Sequence, residues 1–346
     1  MRRPTSANLT FAAMLALLGC ADDAAGDTDA PLARAPLAQT DRATGAADEA
    51  PGSSAVKSEK IAVGALTFDV LTSGPVDGPT VILLHGFPQN ASEWTQQIPA
   101  LAAAGYRVIA PNQRGYSPGA RPAEVAAYST ANLVGDVLGI ADAVGAERFH
   151  LVGHDWGASV AWAVAIAAPE RLLSVAPISV PHPTAFSKVL SDPTSCQPRA
   201  SSYFSTFVAP TAEQLMLAND SAFLRGVYAG LPKPVVDGYV AFFDRPTLTG
   251  GLNWYRANVA ARSGAGTPTV SAPADATATV TVPTLYVWSD GDTALCRDGA
   301  VLTKDYVSGP YQFAVIEGIN HWVPELAAEQ VNTLLLAHLA KFDAKP

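Results

Sequence analysis

The chain has 346 residues, 49% of them hydrophobic and 15% charged, which is enough apolar material for a large core and too little charge for a disordered chain. Its formal net charge of −9 gives no electrostatic footprint for nucleic acid. No internal segment is apolar over the length that a membrane span requires.

The first stretch, "MRRPTSANLTFAAMLALLGC", places two arginines before an apolar run and a small residue before Cys20, the layout of a secretory signal. Leu17-Leu18-Gly19-Cys20 resembles a bacterial lipobox, which makes Cys20 the expected lipidated N-terminus of an exported protein (residues 1–20 being the signal); an incidental cysteine after an ordinary signal is the alternative. Ala21 stands where an aspartate would retain a lipoprotein at the inner membrane. Residues 21–55 hold almost no large apolar side chain and cannot offset their ordering entropy, so they read as a tether. The expected attachment is at the periplasmic face, the outer membrane or the cell surface, through that anchor alone.

From about residue 56 strand and helix patterns alternate. "KIAVGALTFDVLTSG" predicts two strands turning near Gly64, and "TVILLHG" (80–86) and "YRVIAPNQ" (106–113) are short apolar runs of the buried parallel kind. "EWTQQIPALAAAGY" between them is helical and ends at Gly105. Next come a helix over 130–146, the strand "RFHLVGH", the helix "GASVAWAVAIAAPE" and the strand "LLSVAPISV". Residues 183–275 break the pattern with aromatics, Pro and Ser among helical pieces such as "TAEQLMLANDSAFLRGVYAG". Alternation resumes with "PTLYVWS" (283–289), a helix from about 293, "QFAVIEG" (312–318) and a final helix from 324. The fold class is therefore α/β: a mostly parallel sheet flanked by helices, built from 56–182 and 276–346, with 183–275 inserted as a mainly helical cap over the C-terminal strand ends.

Three residues follow predicted strands in the order nucleophile, acid, base. Asp155 sits at the centre of "GHDWG" (153–157), a tight Gly-flanked turn between strand and helix. Asp292, with Asp290 as competitor, lies in "WSDGDTAL", and His321 lies in "EGINHWVPE". That order is the one found in the α/β-hydrolase arrangement. Cys196 and Cys296 form an even pair in an exported chain and are expected to be bonded to each other, with two free thiols as the alternative. No metal-ligand cluster or dinucleotide motif appears, so neither metal nor cofactor is expected.

These motifs resemble those of the α/β-hydrolases with an aspartate nucleophile, most closely the epoxide hydrolases. "HGFPQ" (85–89) matches the family's His-Gly-x-Pro turn, "GHDWG" its nucleophile elbow, and "NWYRA" (253–257) the cap segment with a catalytic tyrosine. The resemblance implies that Asp155 attacks an sp³ carbon, that His321 oriented by Asp292 activates water against the resulting ester, and that the backbone N–H groups of Phe87 and Trp156 form the oxyanion hole. The second aspartate of the loop is the family's acid, which favours Asp292. Tyr255 is implied as proton donor to the epoxide oxygen. The family's second cap donor aligns with Thr206, with Tyr203 three residues earlier as the candidate in its place. Dehalogenases share the fold. The halide-binding asparagine of haloalkane dehalogenases is replaced here by Phe87, and Trp156 stands where a fluoroacetate dehalogenase has arginine. A lipoprotein binding module with a vestigial site is the reading from a different class. The expected partner is a small apolar substrate.

Bland readings apply elsewhere. Arg114 is expected to tie loops under the site, His85 to support the oxyanion turn, His150 to end the elbow strand's approach and His182 to mark the start of the cap. His154 should point away from the nucleophile, and His338 is expected on a helix surface.

Overall fold

The computed structural model describes residues 55–260, 269–270 and 279–343. The expected signal, Cys20 and the tether up to residue 54 lie outside the described residues, as do residues 271–275 at the end of the expected cap.

The core strands are β1 Lys57–Val63, β2 Leu66–Ser73, β3 Thr80–Leu84, β4 Arg107–Pro111, β5 Phe149–His154, β6 Leu172–Ile178, β7 Thr284–Ser289 and β8 Tyr311–Ile316. They form one sheet in the order β1-β2-β4-β3-β5-β6-β7-β8. The β1/β2 and β2/β4 pairs are antiparallel; the others are parallel. The residues of β3 show why the sheet is double-faced. Ile82 and Leu84 enter one apolar layer, Val81 and Leu83 the other, following the two-residue period of a strand. Helices α1 Gln97–Ala103, α2 Thr130–Ala143 and α3 Trp156–Ala167 connect the first half of the sheet. The chain leaves β3 for β4 on one side and returns to β5 on the other. The C-terminal ends of β3 and β5 therefore flank the topological switch point, where open α/β sheets hold ligands. Leu84 pairs with Gly153 in register, so His85-Gly86-Phe87 and Asp155 emerge side by side.

Between β6 and β7 lies the helical insertion: α4 Pro183–Ser191, α5 Gln197–Ala200, α6 Phe204–Phe207, α7 Ala212–Val227, α8 Lys233–Phe242 and α9 Arg245–Asn258. A two-residue antiparallel pairing of Val259–Ala260 with Thr269–Val270 follows it. The segment read as one helix over "TAEQLMLANDSAFLRGVYAG" is broken inside α7. Asn219, Asp220 and Ser221 all have positive φ, a conformation these small polar residues tolerate better than most.

After β7 the helix expected from about 293 begins at Arg297 as α10 Arg297–Leu302. The Asp292 carboxylate explains the delay: it captures the N–H groups of Ala294 and Leu295 and spends that stretch in a turn. The chain ends in α11 Val323–Leu326 and α12 Ala328–Phe342. His338, expected on a surface, is buried. It falls in the stripe Val331, Leu335, His338, Leu339, the face of α12 that packs inward, so helical spacing and not residue polarity decides its place.

Cys196 and Cys296 are disulfide-bonded with Cα atoms 6.2 Å apart. Beside them Gln197 accepts from the Cys296 N–H and donates to the Ala294 carbonyl and the Ser201 hydroxyl. The acid loop is thus stapled to the start of the cap. With the cysteines 100 positions apart, the bond should contribute about 4.7 kcal/mol by constraining the unfolded chain. Cys196→Ser is expected to lower the unfolding midpoint accordingly, and thiol titration of the untreated denatured enzyme should detect no reactive Cys196 or Cys296.

Candidate active site

Asp155 occupies the sharp turn between β5 and α3 with φ 51° and ψ −119°, a backbone region that L-residues enter at a cost. The neighbours make the turn possible. A Cβ at Gly153 or Gly157 would collide with backbone, and one at Gly86 would stand 2.5 Å from the Asp155 Cβ. Glycine at all three positions lets two chain segments close around the carboxylate.

One carboxylate oxygen, Oδ1, accepts the Phe87 N–H at 2.9 Å. The other, Oδ2, lies 3.5 Å from His321 Nε2. His321 Nδ1 is 2.8 Å from Asp292 Oδ2, while Asp292 Oδ1 accepts from the backbone of Ala294 at 2.8 Å and Leu295 at 3.0 Å. The competitor Asp290 is exposed and accepts from the Gly318 N–H. Geometry thus brings together Asp155, His321 and Asp292 and leaves Asp290 out. The Trp156 N–H belongs to the unpartnered first turn of α3, beside the carboxylate.

Burial alone would raise the Asp155 carboxyl. The hydrogen bond and charge of His321, then the Phe87 N–H, outweigh it and hold Asp155 below the ordinary carboxylate value. Burial works against a charged His321, yet Asp292 and then Asp155 push it well above the usual imidazole value. The two shifts together favour an anionic Asp155 carboxylate against a cationic His321.

Over this pair hangs the cap. Tyr255 is buried, its ring edge-on to that of Trp156 at 5.0 Å. Tyr203, at the start of α6, has its ring 6.3 Å from that of Tyr255 and keeps part of its surface open to the cavity. Burial raises both phenols well above 10, with the neighbouring charge of Asp155 adding to it, so both remain protonated donors. Thr206 is not among the cavity-lining residues, and Tyr203 is. The cavity holds about 830 Å³ including its mouth and is walled chiefly by apolar and aromatic side chains. No cluster of three His, Cys, Asp or Glu able to hold a metal occurs among the described residues.

Sequence reasoning missed a layer beneath the nucleophile. The buried His154 ring does turn away from the cavity, and it lies under His321 with ring centroids 4.8 Å apart. Its Nε2 is 2.9 Å from the His321 carbonyl and must carry hydrogen there, while Nδ1 is 2.5 Å from Glu93 Oε1. Burial drops the His154 value to about 4 and lifts that of Glu93 well above the carboxylate range. The ring is therefore neutral with Nδ1 as acceptor, and Glu93 is the acid that donates to it. Glu93 Oε2 in turn accepts the Gly86 N–H, fixing the turn that presents Phe87. Glu325, raised to about 7 by burial and by Glu93, accepts from Gln89 and Tyr239 nearby. Asn90-x-x-Glu93 has the spacing of a helix-capping pair, and Asn90 does cap, accepting the Ser92 N–H. Glu93 turns inward instead, so its sequence signal points to the wrong role.

The remaining histidines and Arg114 are structural. His85 Nε2 accepts the Gln113 N–H, and Nδ1 lies 2.9 Å from the Gly86 carbonyl. His150 meets Ser174 and Asp343, and His182 caps α4. Arg114 pairs with Asp136 in a two-point contact and also donates to the Ala127 carbonyl.

Residues 79–328 match the family model described as alpha/beta hydrolase fold. The chain is 33% identical over 315 residues to Epoxide hydrolase A of Mycobacterium tuberculosis (strain ATCC 25618 / H37Rv), covering 80% of this chain and 95% of that one. It is 31% identical over 324 residues to an epoxide hydrolase of Caballeronia sordidicola, covering 84% and 95%. A solved structure from work on epoxide hydrolases in metagenomes from hot environments superposes with a TM-score of 0.72 at 30% identity, covering 82% of this chain and 99% of the other.

Proposed function

This chain belongs to the alpha/beta hydrolase fold family, and from that premise we propose that it is an epoxide hydrolase that forms vicinal diols through a covalent ester on Asp155. The observation that carries the mechanism is the Asp155–His321–Asp292 alignment beneath the neighbouring cap phenols of Tyr203 and Tyr255.

A serine in the elbow serves attack on carbonyl carbon. A carboxylate can instead displace oxygen from an sp³ carbon. Asp155 attacks a ring carbon, the C–O bond breaks, and Tyr255, assisted by Tyr203, protonates the departing oxygen. The buried tyrosinate is unstable and regains its proton from the imidazolium. Esterification also removes the negative charge of Asp155, one of the influences that hold His321 cationic. The neutral imidazole, still oriented by Asp292, then takes a proton from water. The resulting hydroxide adds to the ester carbonyl of Asp155, and the Phe87 and Trp156 N–H groups hold the oxyanion. Collapse expels the diol alkoxide, which His321 protonates, and the carboxyl proton left on Asp155 returns the imidazole to its resting charge. Phe87 presents only carbon, so the side-chain pair that a halide would need is incomplete here, and the cap phenols offer a proton donor to oxygen instead.

The test is a screen of terminal and aromatic epoxides beside haloalkanes and p-nitrophenyl esters, with one turnover in ¹⁸O-water. Diol formation with label entering the Asp155 carboxylate is expected. Halide release without diol formation would favour the dehalogenase, and no turnover at all the binding module.

The location follows the same reading: export, lipidation at Cys20 and a tethered catalytic domain. The disulfide fits an oxidising compartment. Cys20→Ala should move the protein from the membrane pellet to the soluble fraction; unchanged fractionation would count against the anchor.

A further inference from the structure

We propose that Ser159 sets the substrate class of the cavity: neutral epoxides that carry an ether, ester or other hydrogen-bond-accepting oxygen a few bonds from the ring. The proposal rests on the epoxide reading above and narrows it.

Most of the polar groups that face the cavity already have partners or a role. Asn258 is saturated: its Oδ1 accepts from the N–H and hydroxyl of Thr130, and its Nδ2 donates to the carbonyls of Tyr128 and Trp254. The Thr130 hydroxyl has spent its hydrogen on Asn258. The rings of Tyr203 and Trp156 both pack edge-on against Tyr255, whose phenol is assigned to the epoxide oxygen. Ser159 also lines the cavity, and its hydroxyl has no protein partner among the described residues.

Its position is fixed by the helix. The Ser159 N–H donates to the Asp155 carbonyl at 3.0 Å, which places Ser159 one turn above the nucleophile, ~6 Å along the axis. Helical side chains lean toward the N-terminus, so the Ser159 hydroxyl leans back toward Asp155. An O–H so placed meets the substituent that an epoxide carries next to its ring. Around it the wall is apolar, with Leu133, Val160, Phe186, Phe204 and Leu295. Apart from Asp155, no charged side chain among the described residues lines the cavity. A carboxylate or ammonium on the substrate would enter unpaired and at heavy desolvation cost, whereas a neutral oxygen meets one waiting donor. An all-carbon chain would leave that hydroxyl buried without a partner, which is the basis of discrimination.

The experiment compares kcat/KM for propyl glycidyl ether with that for the straight-chain terminal epoxide in which a methylene replaces the ether oxygen. The wild type should prefer the ether. Ser159→Ala should reduce that preference by roughly 3- to 10-fold, almost entirely through the ether's KM, and Ser159→Thr should retain it. Full activity of Ser159→Ala on the all-carbon epoxide reports an intact fold. An unchanged ratio in Ser159→Ala, or an equal loss on both substrates, would overturn the role of Ser159 while leaving the enzyme an epoxide hydrolase. Turnover of neither substrate by the wild type would reject the epoxide reading and this proposal with it.

Discussion

His321→Gln should alkylate itself once per active site and then stop. The proposed nucleophile, Asp155, is untouched in this variant, whereas the proposed water-activating base is gone. Steady-state diol formation should fall by about 10³-fold or more, toward the upper end of what general-base catalysis supplies. The stalled enzyme should carry the mass of one substrate molecule on the peptide that contains Asp155. The experiment belongs at mildly alkaline pH. His321 is the leading influence that offsets the burial of Asp155, and without it the carboxyl titrates higher and needs a larger window to stay ionised. Asp155→Asn provides the control with no initial adduct. A histidine variant that carries no adduct, together with first-turnover label confined to product in the wild type, would mean that water attacks the epoxide directly.

Removing both phenols should have the second largest effect, on the other half of the cycle. Tyr255→Phe is expected to slow single-turnover alkylation by about 10²-fold, and the double variant with Tyr203→Phe by about 10³-fold or more. The two phenols are neighbours, their rings 6.3 Å apart, so each partly covers for the other and the single losses should not add. Ester hydrolysis, followed after rapid mixing, should be nearly unchanged, because no epoxide oxygen leaves in that step. Equal slowing of both steps would make these tyrosines packing residues.

Much of this was legible because the physics is local. Strands such as "TVILL" are covered on both faces and therefore read as short apolar runs. The elbow needs small residues at Gly153 and Gly157 because a Cβ there meets backbone. The acid loop declares itself as two aspartates after a strand. Choosing between them by geometry required the fold, since only tertiary structure shows Asp292 holding two backbone N–H groups while reaching His321, and Asp290 facing solvent. The helix start at Arg297 and the break in α7 were hidden for a related reason: side-chain capture of N–H groups and left-handed residues interrupt helices without changing their composition. Glu93 was invisible as a buried acid because its spacing from Asn90 suits a cap. Its partner His154 is adjacent to the nucleophile in sequence but contacts it only through other groups. His338 misled in the opposite sense, a polar residue on an inward stripe.

The bond between Cys196 and Cys296 turns the intervening chain into a closed ring. Every cap helix from α5 to α9 lies inside that ring, together with the acid Asp292, whereas Asp155 and His321 lie outside it. A protease that cuts once within the ring therefore releases nothing: both fragments stay covalently joined, with the cap still tied at the loop that carries the acid. Only a second cut inside the ring, or reduction of the bond, could free a piece of the roof. The same bond that stabilises the fold would also make a single nick survivable.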